Sequence, residues 1–201
     1  MNKKILFILA AICLFGCNKN NPTQQSSSSV FSEEEENIPN EKAKQLYYEA
    51  IEFAKKENPQ KEFELLLKAD SISPNTPAIL TNIGTTYAES GDMAKAVEYY
   101  KKSLAIDSGY SKTYVNYTKL LIMQNKFEEA VIWGQKGLAI DSLPELNKKM
   151  LLLNLANSYY GLKDYPLALK TIEEAKKYKK GYAEDRIANA ENQLKNKMNN
   201  E

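Results

Sequence analysis

Residues 77–110 read PAILTNIGTTYAESGDMAKAVEYYKKSLAIDSGY. Leu80, Ile83, Gly84 and Tyr87 recur at i, i+3, i+4 and i+7, which places one apolar stripe on a helix. Ser90-Gly91-Asp92 interrupts it, and a second stripe follows with Ala96, Tyr100, Ser103 and Leu104. Two short amphipathic helices joined by a tight turn cannot each bury a face alone, so the pattern predicts a helix hairpin. Gly84 and Ala96 are small where the two helices are expected to cross.

The pattern returns at an interval of about 34 residues, the mark of a stacked helical array. Residues 111–144 give Tyr114, Tyr117, Thr118 and Leu121, a turn at Gln124-Asn125-Lys126, then Phe127, Ala130 and Leu138. Ile106-Asp107 is echoed by Ile140-Asp141. An earlier unit holds Leu46, Ala50 and Phe53, turns at Asn58-Pro59, and continues with Leu66, Ala69 and Pro74. A later unit arrives four residues late, with Leu152, Leu155, Ala156 and Tyr159, then Asp164-Tyr165, Ala168, Ile172 and Ala175. Four extra residues are about one helical turn, so Glu145–Lys148 should lengthen a helix without rotating its face. After Gly181, one stripe holds Ala183, Ile187, Ala190, Leu194 and Met198, opposite a wet face of mixed charge. That is what a terminal capping helix needs. A membrane-surface helix would carry a larger apolar face and a more uniformly basic one.

Leu80-x-x-Ile83-Gly84-x-x-Tyr87 followed by Ala96-x-x-x-Tyr100 resembles the tetratricopeptide repeat, with Ser108 standing where that family ends its unit in Pro. The resemblance implies an all-α fold, a right-handed α-solenoid of about four helix pairs. The pairs fall at 43–76, which is degenerate, then 77–110, 111–144 and 149–182, within an array spanning 41–182 and capped by a helix at 183–198. Glu62 stands where the family has a small Ala, and a first repeat has one side facing solvent, so Glu62 is expected at an exposed rim. Gly137 shares a position with Ala69, Ser103 and Ala175, where helices approach closely. Gly134 replaces the bulky Tyr100, and the adjacent Trp133 is expected to fill the space.

The N-terminus has a different character. Asn2-Lys3-Lys4 precedes an apolar run, Ile5–Phe15, too short to span a bilayer, and Leu14-Phe15-Gly16-Cys17 closes it. This resembles a bacterial lipoprotein signal over 1–16, which implies cleavage before Cys17 and lipid on its thiol. The alternative is an ordinary secretory signal with an incidental Cys. Residues 17–40, rich in Asn, Gln, Ser and Glu, contain little to bury and read as a disordered tether. Its Glu33–Glu36 run reads as solvated chain. Asn18 after the Cys resembles outer-membrane sorting, so the expected location is the bacterial cell envelope, outer membrane rather than inner. The array would then be periplasmic or surface-exposed.

Charge and chemistry narrow the function. Lys and Arg total 27 against 26 Asp and Glu, so no strong field favours nucleic acid. There is no His, and Cys17 is committed to lipid, which removes metal sites of Cys/His spacing and the commonest general base. No phosphate loop or nucleophile elbow occurs. The reading is a chain that is not an enzyme, takes no cofactor or small-molecule substrate, and binds a protein or peptide.

The binding face is expected along the first helix of each pair, the concave wall of such an array. Its residues are Lys44, Tyr47, Tyr48 and Ile51; Ala78, Thr81, Asn82, Thr85 and Glu89; Lys112, Asn116, Lys119 and Met123; and Met150, Leu153, Asn154, Asn157 and Tyr160. Asn82, Asn116 and Asn154 are expected to align, each amide able to donate to and accept from a peptide backbone, with Lys112 and Lys119 adding positive charge. The family resemblance implies a preference for carboxylate-ended peptides, against the plainer reading of solvated lysines and a family-wide Asn. Tyr47, Tyr48, Leu153 and Tyr160 offer an apolar surface instead. The leading function is a lipid-anchored scaffold. The alternatives are an assembly factor (pilotin-like, or for the outer membrane), a self-associating structural subunit, and an envelope hydrolase or its subunit.

Overall fold

A computed structural model describes residues 36–178 and 181–199. The signal at 1–16, the lipidation site Cys17 and the tether as far as residue 35 lie outside the described residues. Among those described the fold is all-α, with no strand and nine helices. They are α1 (Glu41–Lys55), α2 (Pro59–Ile72), α3 (Pro77–Glu89), α4 (Met93–Ile106), α5 (Ser111–Met123), α6 (Phe127–Leu138), α7 (Glu145–Gly161), α8 (Tyr165–Ala175) and α9 (Glu184–Asn199). None is long and apolar enough to cross a membrane. The chain divides into two compact units, one running through Thr113 and the other from Tyr114 onward.

Three of the four second helices start with the same side-chain cap. Asn58, Asp92 and Asp164 cap α2, α4 and α8, their side chains accepting from the backbone N–H of Lys61, Lys95 and Leu167. Lys126 occupies the same place before α6 and makes no side-chain cap. The residue just before each cap adopts positive φ: Glu57, Gly91, Asn125 and Lys163 at 55°, 89°, 58° and 63°. Only Gly91 does so without a steric penalty.

In the first unit α1 packs on α2, α2 on α3, and α3 on α4. A Cβ built on Gly84 would lie 2.8 Å from the Tyr100 ring and 3.3 Å from the Ala96 carbonyl, so the absent side chain sets the α3–α4 approach. Glu62 departs from expectation. It is buried, because its position recurs as Ala96, Ala130 and Ala168, all with no exposed surface. Burial, reinforced by the Glu89 carboxylate and opposed by a Thr86 hydrogen bond, pushes its carboxyl up to about 7. The chain before α1 also departs. Ile38 packs into the core with Leu46, Tyr47 and Ala50, and Glu36 is buried, so packed structure includes residues ahead of the first helix.

In the second unit the Gly134 space is filled by Leu155, whose Cδ2 lies 2.8 Å from where a Cβ would stand. Trp133 does not fill it; it packs in α6 against the rings of Tyr114 and Tyr117, centroids 6.1 and 4.9 Å away. Gly137 admits Tyr114 and Leu151 at 2.8 and 2.9 Å, the close approach expected of its position. α7 has 17 residues against 13 in α3 and α5, so the late fourth unit is one added turn. Lys149, next after that turn, has no exposed surface, and its ammonium donates to the Glu184 carboxylate of α9 at 2.9 Å. α9 packs on α8 through Ile187, Ala190 and Leu194. Ala183 lies outside the helix at positive φ and Met198 is exposed, so the stripe is shorter than the sequence pattern suggested.

Candidate peptide-binding face

The first helix of each pair meets neighbours on more than one side, as α3 meets both α2 and α4. Less of it stays wet than a single helical wheel implies. In the first unit, Thr81 sits in the core, 1% exposed. Its hydroxyl lies 3.0 Å from that of Ser103 and 2.6 Å from that of Thr113, which in turn lies 2.8 Å from Ser103. These three hydroxyls satisfy one another where the helices cross, so Thr81 is a packing residue. Thr85 donates to the Thr81 carbonyl and meets the Tyr100 hydroxyl at 3.2 Å. Tyr47 is also buried, and burial, with Glu36 and Tyr48 adding, holds its phenol well above its usual range. Asn82, half-buried, donates from Nδ2 to the Tyr47 hydroxyl and to the Ala78 carbonyl, both at 3.0 Å.

Lys112 departs furthest from the sequence expectation. Expected as a groove cation, it is 8% exposed, and its ammonium lies 2.6 Å from the Glu36 carboxylate. The other Glu36 oxygen accepts from the Tyr110 hydroxyl at 2.8 Å, and the Glu36 N–H donates to the Tyr48 hydroxyl at 2.8 Å. Burial first, then the neighbouring Tyr47 and Glu36, holds the Tyr110 phenol well above its usual range, so it stays a donor. The acidic run that reads as solvated chain therefore ends in a buried carboxylate. Sequence reasoning missed Glu36 and Tyr110. The available signal was Ile38, a lone aliphatic residue two places before the Asn40 cap and so a candidate for packing.

In the second unit Asn116 and Lys119 of α5 are half-buried. Asn154 is 3% exposed and donates to the Val115 carbonyl at 3.0 Å, tying α7 to α5 rather than lining open space. Asn157, one turn on, is 7% exposed, and its Nδ2 has no hydrogen-bond partner among the described residues. Tyr160 is half-buried with its ring 5.5 Å from that of Tyr165. Asn154 and Asn116 thus belong to neighbouring helices, and Asn157 holds an enclosed amide nitrogen with no partner among the described residues.

Comparison with known proteins agrees with this architecture. Residues 76–142 match the tetratricopeptide repeat family. A stretch of 84 residues is 30% identical to the small glutamine-rich tetratricopeptide repeat-containing protein 2 of Mycosarcoma maydis, covering 42% of this chain and 24% of that one. The chain thus spans about a quarter of the length of that curated relative. Among solved structures, PilF of Pseudomonas aeruginosa superposes with a TM-score of 0.73 at 20% identity, over 80% of this chain and 70% of its own. PilW, described as a widely conserved type IV pilus biogenesis factor, gives 0.63 at 17%, over 68% and 62%. MamA gives 0.55 at 16%, over 75% and 95%. At such identities the likeness is one of fold. The chain is an all-α protein of tetratricopeptide-like helix hairpins, and its central residues 76–142 match the repeat itself.

Proposed function

We propose that this chain is a non-catalytic scaffold that binds a protein or peptide partner, held to a membrane of the bacterial cell envelope by lipid on Cys17. The repeat architecture supports the scaffold reading, because stacked hairpins present a long surface built from successive helices. The observation that carries the binding reading is Asn157. A buried amide donor with no acceptor costs about 1–3 kcal/mol; its nitrogen is enclosed, so the side chain must swing outward for the carbonyl of an extended peptide laid along α7 to satisfy it. Tyr160 offers a ring one turn further on, and Lys119 a cation on α5 of the same unit. Anchoring is supported by the sequence around Cys17 alone.

The test is binding of the full chain to an array of ten-residue peptides. Asn157→Ala and Lys119→Glu are each expected to weaken capture at least about tenfold while leaving helical content unchanged. Capture untouched by both substitutions would remove this face from the reading. Lys112→Glu is not a fair test, since it breaks the contact with Glu36. Palmitate labelling of whole cells, expected for the natural chain and lost in Cys17→Ser, tests the anchor.

A second reading, an assembly factor, draws on the fold shared with PilW, itself described as a pilus biogenesis factor. A pilus assembly defect on deletion, restored by the natural chain and not by Asn157→Ala, would favour it. Light scattering at rising concentration tests self-association.

A further inference from the structure

In the first unit a short segment outside the hairpins is gripped by side chains from several elements. Five side chains far apart in sequence converge there: Tyr47 and Tyr48 from α1, Asn82 from α3, Tyr110 before α5 and Lys112 at its start. Into them runs a short non-helical segment, Glu36-Asn37-Ile38, that belongs to no hairpin. The Glu36 carboxylate takes the Lys112 ammonium on one oxygen and the Tyr110 hydroxyl on the other, at 2.6 and 2.8 Å. Its backbone N–H is taken by Tyr48 at 2.8 Å. Two residues on, Ile38 is 4% exposed in the apolar cluster beside Tyr47. The Asn82 amide braces the Tyr47 hydroxyl at 3.0 Å, which holds the wall against which the segment lies.

This is how a protein reads a linear motif: a charge-assisted pair for one side chain, a main-chain hydrogen bond to set its direction, and an apolar seat for the residue two places later. A buried cation is costly without an anion, so the site favours a carboxylate over a neutral side chain there. The contacts span 74 and 76 residues of chain, yet the segment is joined to α1 by only two residues, Pro39 and Asn40. A ligand tied that closely is present at an effective concentration of about millimolar or above.

We propose that Glu36–Ile38 is a built-in occupant of a pocket specific for Glu-x-aliphatic segments, and that it keeps this pocket closed to the same motif arriving from outside. The inference does not rest on the reading above, which concerns Asn157 and Lys119 of the other unit.

The test uses the full chain and a dye-labelled peptide copying residues 34–40, followed by fluorescence anisotropy. The natural chain is expected to bind it at least about a hundredfold more weakly than Glu36→Gln/Ile38→Ser, whose own segment is released, because an external ligand must displace a tethered one. A peptide with Gln in place of the pocket Glu should bind the released variant roughly thirtyfold more weakly or worse. Adding Tyr110→Phe to that variant should weaken the acidic peptide while leaving the ring in place. Equal binding to the natural and released chains would overturn the proposal, and so would no binding to a released chain with unchanged helical content. Indifference to Glu versus Gln in the peptide would do the same. Should the double variant fail to fold, Glu36→Gln alone gives the same comparison, since it removes the charge and keeps the shape.

Discussion

The hairpins α3–α4 and α5–α6 lie one repeat apart, yet the space at their glycines is filled from opposite directions. In α3–α4 the gap over Gly84 is closed within the hairpin, by the ring of Tyr100. One repeat later the sizes are reversed: Thr118 stands in the Gly84 position and Gly134 in the Tyr100 position. The gap now opens toward α7, and Leu155 closes it. Thr118 is wholly buried, with a hydroxyl that has no partner among the described residues, so the reversal carries a cost at the old site. A repeat position therefore specifies a volume to be filled, not the element that fills it. The first pair is tied within itself, and α6 is tied forward to α7.

The sharpest way to break this comparison is to delete each filler. Tyr100→Ala should cost about 3–5 kcal/mol and Leu155→Ala about 2–5 kcal/mol, read from urea midpoints. A small effect at Leu155 would mean that the forward tie is incidental.

The next effect extends the comparison back to α1–α2, where Glu62 takes the place of Ala96 and Ala130. Its carboxyl sits at about 7 in the folded chain against an ordinary 4.5, so the folded state binds more protons between those values. Stability from this group is full below about 4.5 and is lost as pH rises through about 7, a change of up to about 3 kcal/mol. Glu62→Ala should flatten that slope and raise the thermal midpoint at pH 8. An unchanged pH profile would show that the carboxyl is hydrated.

Smaller differences follow from the glycines. Gly84→Ala meets a ring and a carbonyl that are held in place, and should lose about 1–3 kcal/mol. Gly134→Ala meets the Leu155 side chain at Cδ2 and Cγ, 2.8 and 3.0 Å away, but no backbone atom, and its gain in helix propensity, about 1 kcal/mol, offsets the shift of that side chain and should leave the net near zero. Last, Lys126→Asp should add about 1 kcal/mol by giving α6 the cap that Asp92 gives α4. Hydrogen exchange at the first turn of α6 would register it.

The helices and the repeat were legible because each stripe is a local property of the chain. Gly84, Gly137 and the lengthened α7 followed from spacing alone. What was not legible depends on which neighbour reaches a given face. Thr81 and Tyr47 share one repeat position with Val115 and Leu153, and all four are buried because helices flank that side. A wheel drawn for one helix cannot show those flanks. Glu62 differs for the opposite reason: it sits in a column that is buried Ala in every later repeat, and being in the first repeat does not expose it. Asn154 was misplaced because an amide suited to a ligand is equally suited to a neighbouring carbonyl. Glu36 escaped because charge runs are usually solvated, and its partners lie more than 70 residues away.

The enclosed Lys149 changes how the far end of the chain can come apart. An array of this kind ordinarily peels from its terminus one helix at a time. Here, lifting α9 away would strip Glu184 from an ammonium that has no exposed surface of its own, deep in the helix two places earlier. Detachment of the last helix therefore gives up an ion pair to α7 as well as its apolar contacts with α8, which raises the cost of opening that end.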